Sequence, residues 1–211
     1  MKIKRVKQAS TELMQNQIIL MLICVGLIAL LFFIYGIFSD SAEAPFLESA
    51  LGLNALLAFL LGYLLPSKIG SVNRLYRLGL LRMDIFNTYL RVGLLYTLNT
   101  VTLILFIGLF INLIPWLNRL NSEVELDVLM IIISTVLYTF GLYLLGVMIR
   151  VAINTARVYA LLGAVILIII IQPLLSGVST IVGIVIPLIL IAISVFMLHQ
   201  LLRAINIERQ L

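Results

Sequence analysis

Long apolar stretches separated by short charged ones set the hydropathy pattern of this chain. Five runs are free or nearly free of charge: residues 17–38, 47–65, 92–116, 128–149 and 158–202. A membrane-crossing helix needs about 20 mostly apolar residues, so each of the first four runs predicts one span. The fifth would make a single helix of about 68 Å, roughly twice the hydrocarbon thickness. It must fold back on itself, and Gln172–Ser179, with Pro173 and Gly177, supplies the turn residues. Six spans follow, at about 17–38, 47–65, 89–116, 127–149, 157–175 and 178–202. They make a transmembrane domain over 17–203, with an interfacial segment at 1–16 and a short tail at 204–211. The expected fold class is an all-α integral membrane protein with six transmembrane helices.

Composition strengthens this pattern and the charges orient it. Of 211 residues, 63% are apolar or aromatic and 11% are charged, against about 25% charged in soluble domains. The net charge of +5 is gathered in short loops and forms no stripe for a nucleic-acid groove. Lys2, Lys4, Arg5 and Lys7 precede the first span. Lys68, Arg74, Arg77, Arg82 and Arg91 lie between or just inside the second and third. Arg150 and Arg157 lie between the fourth and fifth, and Arg203 and Arg209 follow the sixth. Only Arg119 of the 14 basic residues falls on the opposite side, with Asp40, Glu43, Glu48, Glu123, Glu125 and Asp127. By the positive-inside rule both termini are expected in the cytoplasm. The first apolar run exceeds a secretory signal core and lacks a small-residue cleavage pattern, so it reads as a retained span.

The residue inventory narrows the chemistry. Ion-coupled carriers place a titrating or ion-binding group inside the bilayer. Here Glu48, Arg91 and His199 all sit near span ends. One histidine and one cysteine, Cys24, cannot build a metal centre or a Ser/His protease, and no Gly-rich phosphate loop is present. The chain is expected to be no enzyme and to hold no cofactor of its own. Neutral polar groups are scattered through the spans: Asn54, Tyr96, Asn99, Thr100, Ser134, Thr135, Tyr138, Thr139 and Gln172. Tyr96, Asn99 and Thr100 share a helical face. Two readings stand. Such groups hydrogen-bond neighbouring helices, at about 0.6 kcal/mol each, or Asn54, Tyr96, Asn99, Thr100, Thr135 and Tyr138 line a path for an amphipathic substrate. Glycines at 52, 62, 93, 108, 141, 146, 163 and 183 suit close helix packing, without a strict GxxxG pair. Pro187 is expected to kink the sixth span or release a carbonyl.

One internal stretch departs from this background: RLYRLGLLRMDIFNTYLRV, residues 74–92. Pro66 closes the second span, and Lys68–Leu80 reads as a short amphipathic helix. Val72, Leu75 and Leu78 make its apolar face, Arg74 and Arg77 its charge, and Gly79 its stop. Asp84 takes the N-cap position for the third span, and Arg91 can snorkel to the interface. Such a helix can rest on anionic headgroups or serve as a handle for a partner.

In its place between the second and third spans, this stretch resembles the cytoplasmic coupling region of ABC-2-type transporter permeases. The basic N-terminal segment, the Arg/Leu run with its polar restart "LGLLRMDIFNTYLRV" and the six spans carry the resemblance. It implies a permease that dimerises with an identical or homologous chain. Two separate ATPase subunits, which bind ATP and Mg, would dock through Val72, Arg74, Leu75, Arg77, Leu78, Arg82 and Asp84. It also implies a secondary contact at Arg150–Arg157 and an interfacial helix at Lys2–Gln15. The substrate would be a hydrophobic or amphipathic molecule such as a peptide, antibiotic or lipid, exported by alternating access. The connection between the fifth and sixth spans is shorter than the family's re-entrant hairpin, and the short outer loops disfavour a large polymer. The alternative function is a non-transporting membrane interaction or immunity protein that sequesters a toxin or sensor.

Overall fold

The computed structural model describes residues 46–67, 71–113, 128–154 and 180–204, together with Thr11, Leu13 and Gly26. Helix α1 spans Phe46–Leu64 and tightens into a 3₁₀ turn at Leu65–Ser67. A short helix α2, Val72–Arg77, precedes α3, Arg82–Leu113. Helix α4 spans Val128–Asn154 and α5 spans Thr180–Ala204. Every regular element among the described residues is helical. Three stretches are long and apolar enough to cross a membrane: Arg82–Ile107, Ile132–Asn154 and Ile184–Ala204. The 19 residues of α1 add a fourth helix of about 28 Å.

The second, third, fourth and sixth expected spans each coincide with a helix. The first span apart from Gly26, the fifth span, the turn at Gln172–Ser179 and the tail beyond Ala204 lie outside the described residues, as does the N-terminal segment apart from Thr11 and Leu13. Leu13 is buried in the core formed by α1–α5. Two helices overrun their expected ends. Helix α3 starts at Arg82, two residues before the N-cap expected at Asp84 and seven before the expected start of the span at 89. Helix α4 continues to Asn154, which makes Arg150 a helical residue. Helix α5 runs through Pro187 to Ala204.

Small residues bring the helices together, as expected where lipid offers no hydrophobic drive between spans. Helices α1 and α4 meet backbone to backbone. A Cβ on Gly62 would collide with the Tyr143 carbonyl, and one on Gly146 with the backbone of Phe59 and Tyr63. Gly93 of α3 leaves the space taken by the Tyr143 ring, which stacks on Tyr96 with centroids 6.4 Å apart. Tyr143 is thereby fully buried where α1, α3 and α4 converge. Leu190 and Ile191 of α5 pack over Gly141 of α4.

Contacts also give relative directions. Asn54 of α1 bonds Tyr96 and Thr100 of α3, while Gly62 and Gly93 both meet Tyr143. As α1 ascends in number, α3 descends, so the two are antiparallel. Arg82 bonds the carbonyl of Arg203, so the start of α3 meets the end of α5. These are two of the ends that the charge pattern assigns to one side.

Candidate functional site

Residues 71–85, which carry α2 into the start of α3, form a closely hydrogen-bonded corner. Ser71 caps α2: its Oγ accepts from the Arg74 N–H at 3.3 Å, and its carbonyl takes the Leu75 N–H at 3.0 Å. At the other end Gly79 has φ 79°, a left-handed value that an L side chain resists. The Gly79 N–H donates to the Tyr76 carbonyl at 2.8 Å and the Leu80 N–H to the Leu75 carbonyl at 3.2 Å. This paired pattern is a Schellman motif, with Leu75 and Leu80 as its apolar contact. The Leu78 N–H reaches the Arg74 carbonyl at 3.1 Å. The Leu81 N–H donates to Asp84 Oδ2 at 3.1 Å, and the Leu81 carbonyl accepts from the Ile85 N–H at 2.9 Å. All four backbone donors from Leu78 to Leu81 are therefore satisfied, and the joint between α2 and α3 has no slack amide.

The corner has an inner and an outer surface. Val72, Leu75 and Leu80 are buried in the core. Arg74, Arg77, Arg82, Leu78, Leu81 and Met83 are exposed. This corrects three expectations. Helix α2 is Val72–Arg77, shorter than the amphipathic helix expected over Lys68–Leu80, of which Lys68–Gly70 lie outside the described residues. Leu78 is 54% exposed, because the glycine turn carries Leu80 into the core in its place. Asp84 lies in the first turn of α3 and reaches back to the cap residue Leu81, as the acidic half of a capping box does, instead of being the N-cap. Gly79 is the stop that its position in the sequence announced.

The polar residues of the spans divide in two. Asn54, Tyr96 and Thr100 are buried and joined: Asn54 Nδ2 donates to Thr100 Oγ1 at 3.2 Å, and Tyr96 Oη donates to Asn54 Oδ1 at 3.2 Å. Thr100 Oγ1 also lies 3.0 Å from the Tyr96 carbonyl and 3.2 Å from that of Thr97. Asn99 does not join them and faces outward. Thr135 and Tyr138 are half-buried on α4, with Tyr138 against the core. Thr97, Thr139, Tyr143 and Ser194 bury hydroxyls that find no hydrogen-bond partner among the described residues. Interhelical bonding thus absorbs Asn54, Tyr96 and Thr100 but not the whole polar set.

Two contacts were not anticipated from the sequence. Arg150 Nη1 donates to Tyr63 Oη at 3.2 Å, with its guanidinium 5.1 Å from that ring's centroid, tying the ends of α1 and α4. Arg82 Nη1 donates to the Arg203 carbonyl at 3.0 Å, across 121 residues of chain. A basic residue on the polar side of an apolar helix signals snorkelling, but its partner depends on the packing of distant helices. Among the described residues no three of His, Cys, Asp and Glu come together as metal ligands. No protein family, curated protein or solved structure matches this chain in any of the three comparisons.

Proposed function

We propose that this chain is the membrane subunit of an ATP-driven transporter of the ABC-2 type, energised by separate ATPase subunits that dock on the α2 corner. In this reading six spans place both termini in the cytoplasm, two permease chains pair, and two ATPases bind ATP and Mg. The substrate is a hydrophobic or amphipathic molecule moved outward. One observation carries the proposal. A capped helix with exposed Arg74 and Arg77 is joined to a membrane-spanning helix by four residues whose amides are all bonded. A force applied to α2 passes to α3 without being absorbed by a hinge, and α3 in turn grips α1 through Asn54. A retention signal for the inner leaflet needs charge but not such a joint.

The test is charge reversal. In membranes from the native host, Arg74→Glu/Arg77→Glu is expected to lower co-purifying, vanadate-sensitive ATP hydrolysis about tenfold or more, with the detergent melting temperature unchanged. These side chains are exposed, and surface substitutions of this kind cost within about 0.5 kcal/mol of stability. Wild-type protein that brings down no nucleotide-hydrolysing partner would sink the proposal and favour the membrane interaction or immunity role.

A further inference from the structure

Where α1 ends against α4, Arg150 lies half-buried on Tyr63. Its Nη1 donates to Tyr63 Oη at 3.2 Å, and its guanidinium carbon stands 5.1 Å from the centre of that ring. Nε is buried without a partner. Nη2 is neither bonded nor enclosed, so its two N–H donors are available. The phenol and its ring are neutral, so they orient the charge without neutralising it. Among the described residues no carboxylate pairs with Arg150, and Asp84 is engaged with the Leu81 N–H. The carbonyl ends of α1 and α4 favour a cation at this level, which accounts for the basic residue but gives Nη2 no acceptor. Beside this charge the surface is apolar. Leu56, Leu60 and Leu64 are exposed at four-residue spacing on α1. They lie within about 100° of Tyr63 round the helix, and the stripe leads from its end toward its middle.

We infer that Arg150 binds one anionic phospholipid, its headgroup phosphate on Nη2 and an acyl chain along Leu64, Leu60 and Leu56. A charge taken partly out of water needs a counter-charge, and guanidinium N–H groups suit phosphate oxygens. Arg150 stands one turn before the end of α4, the depth at which headgroups lie, and basic groups between membrane helices recognise anionic headgroups. The Tyr63 ring holds the guanidinium in place, so the lipid meets a cation whose position is already fixed. A free phosphate would use Nη2 and leave the leucine stripe uncovered, whereas a lipid satisfies both. The assignment needs only that α1 and α4 cross the bilayer and is independent of the transporter reading.

The full-length protein, alone in nanodiscs of phosphatidylcholine doped with phosphatidylglycerol, tests it by native mass spectrometry after delipidation. Wild type is expected to retain phosphatidylglycerol in preference to phosphatidylcholine. Arg150→Gln is expected to weaken that retention about fivefold, whereas Arg150→Lys, which keeps the charge, should keep the preference. Arg77→Gln, exposed on α2, should leave it unchanged. A second measurement needs no variant. Phosphatidylglycerol with a diazirine in its acyl chain is expected to label Leu56–Leu64 of wild type more heavily than Leu98, which is exposed on α3. Undiminished retention in Arg150→Gln, equal retention of phosphatidylcholine, or equal labelling at Leu98 would overturn the site. Equal loss from Arg77→Gln would reduce it to diffuse surface charge. Thermal protection by inorganic phosphate as strong as by phosphatidylglycerol would replace the lipid with a free anion.

Discussion

Asn54 stands at the junction of α1 and α3, accepting from Tyr96 and donating to Thr100. Because all three are buried, each bond replaces an unpaired polar group in an apolar interior, not a bond to water. Tyr96→Phe is expected to cost about 0.6 kcal/mol. Asn54→Leu, which removes the bonds to both Tyr96 and Thr100, should cost more, about 1–2 kcal/mol. The double variant should cost less than the sum, since the groups share one bond. Reversible unfolding in mixed micelles measures all three, and strict additivity would refute the network. Residue type and spacing announced this cluster, but not its membership. From Tyr96, Thr100 lies about 40° round the helix and Asn99 about 60° the other way. Only the direction of α1, a tertiary fact, decides which of the two is enclosed.

At the level of elements, the joint between α2 and α3 matters more than either helix alone. Six residues of α2 are too few to hold helical structure in isolation. Its order comes from Ser71, the Schellman turn at Gly79 and burial of Val72, Leu75 and Leu80. Replacing Gly79 by alanine puts a Cβ on a left-handed residue, a cost of about 1–2 kcal/mol. The amides of Leu78–Leu81, protected in the wild type, are then expected to exchange about ten times faster or more, while those at the α1–α4 crossing keep their rates. Uniform acceleration across the bundle would contradict a local joint. Much of this was legible: Pro66 and Gly79 punctuated the segment, and Asp84 marked the restart. The shifts that put Leu80 in the core in place of Leu78 and moved Asp84 from cap to the third residue of the helix follow from how the glycine turn closes. Periodicity does not register that closure.

For the molecule as a whole, the apolar runs located α1, α3, α4 and α5 to within a few residues, except where α3 and α4 extend into charged sequence. Hydropathy marks where lipid contact ends and not where the helix does, so the expected spans stopped at 89 and 149 although the helices extend to Arg82 and Asn154. The glycines at 62, 93 and 146 were visible as small residues, but their pairing around Tyr143 depends on three helices arriving together. On the proposed reading, the energy that moves a substrate through this bundle enters at the basic corner, from an ATPase docked there. That claim meets its most direct test in photocrosslinking from the corner in native membranes. A benzophenone at Asn73 or Leu78, both exposed on or beside α2, is predicted to capture an ATP-binding polypeptide. The same probe at Leu98, exposed within α3, is predicted to capture none. Adducts with lipid alone from Asn73 and Leu78, or the same adducts from all three positions, would contradict the account.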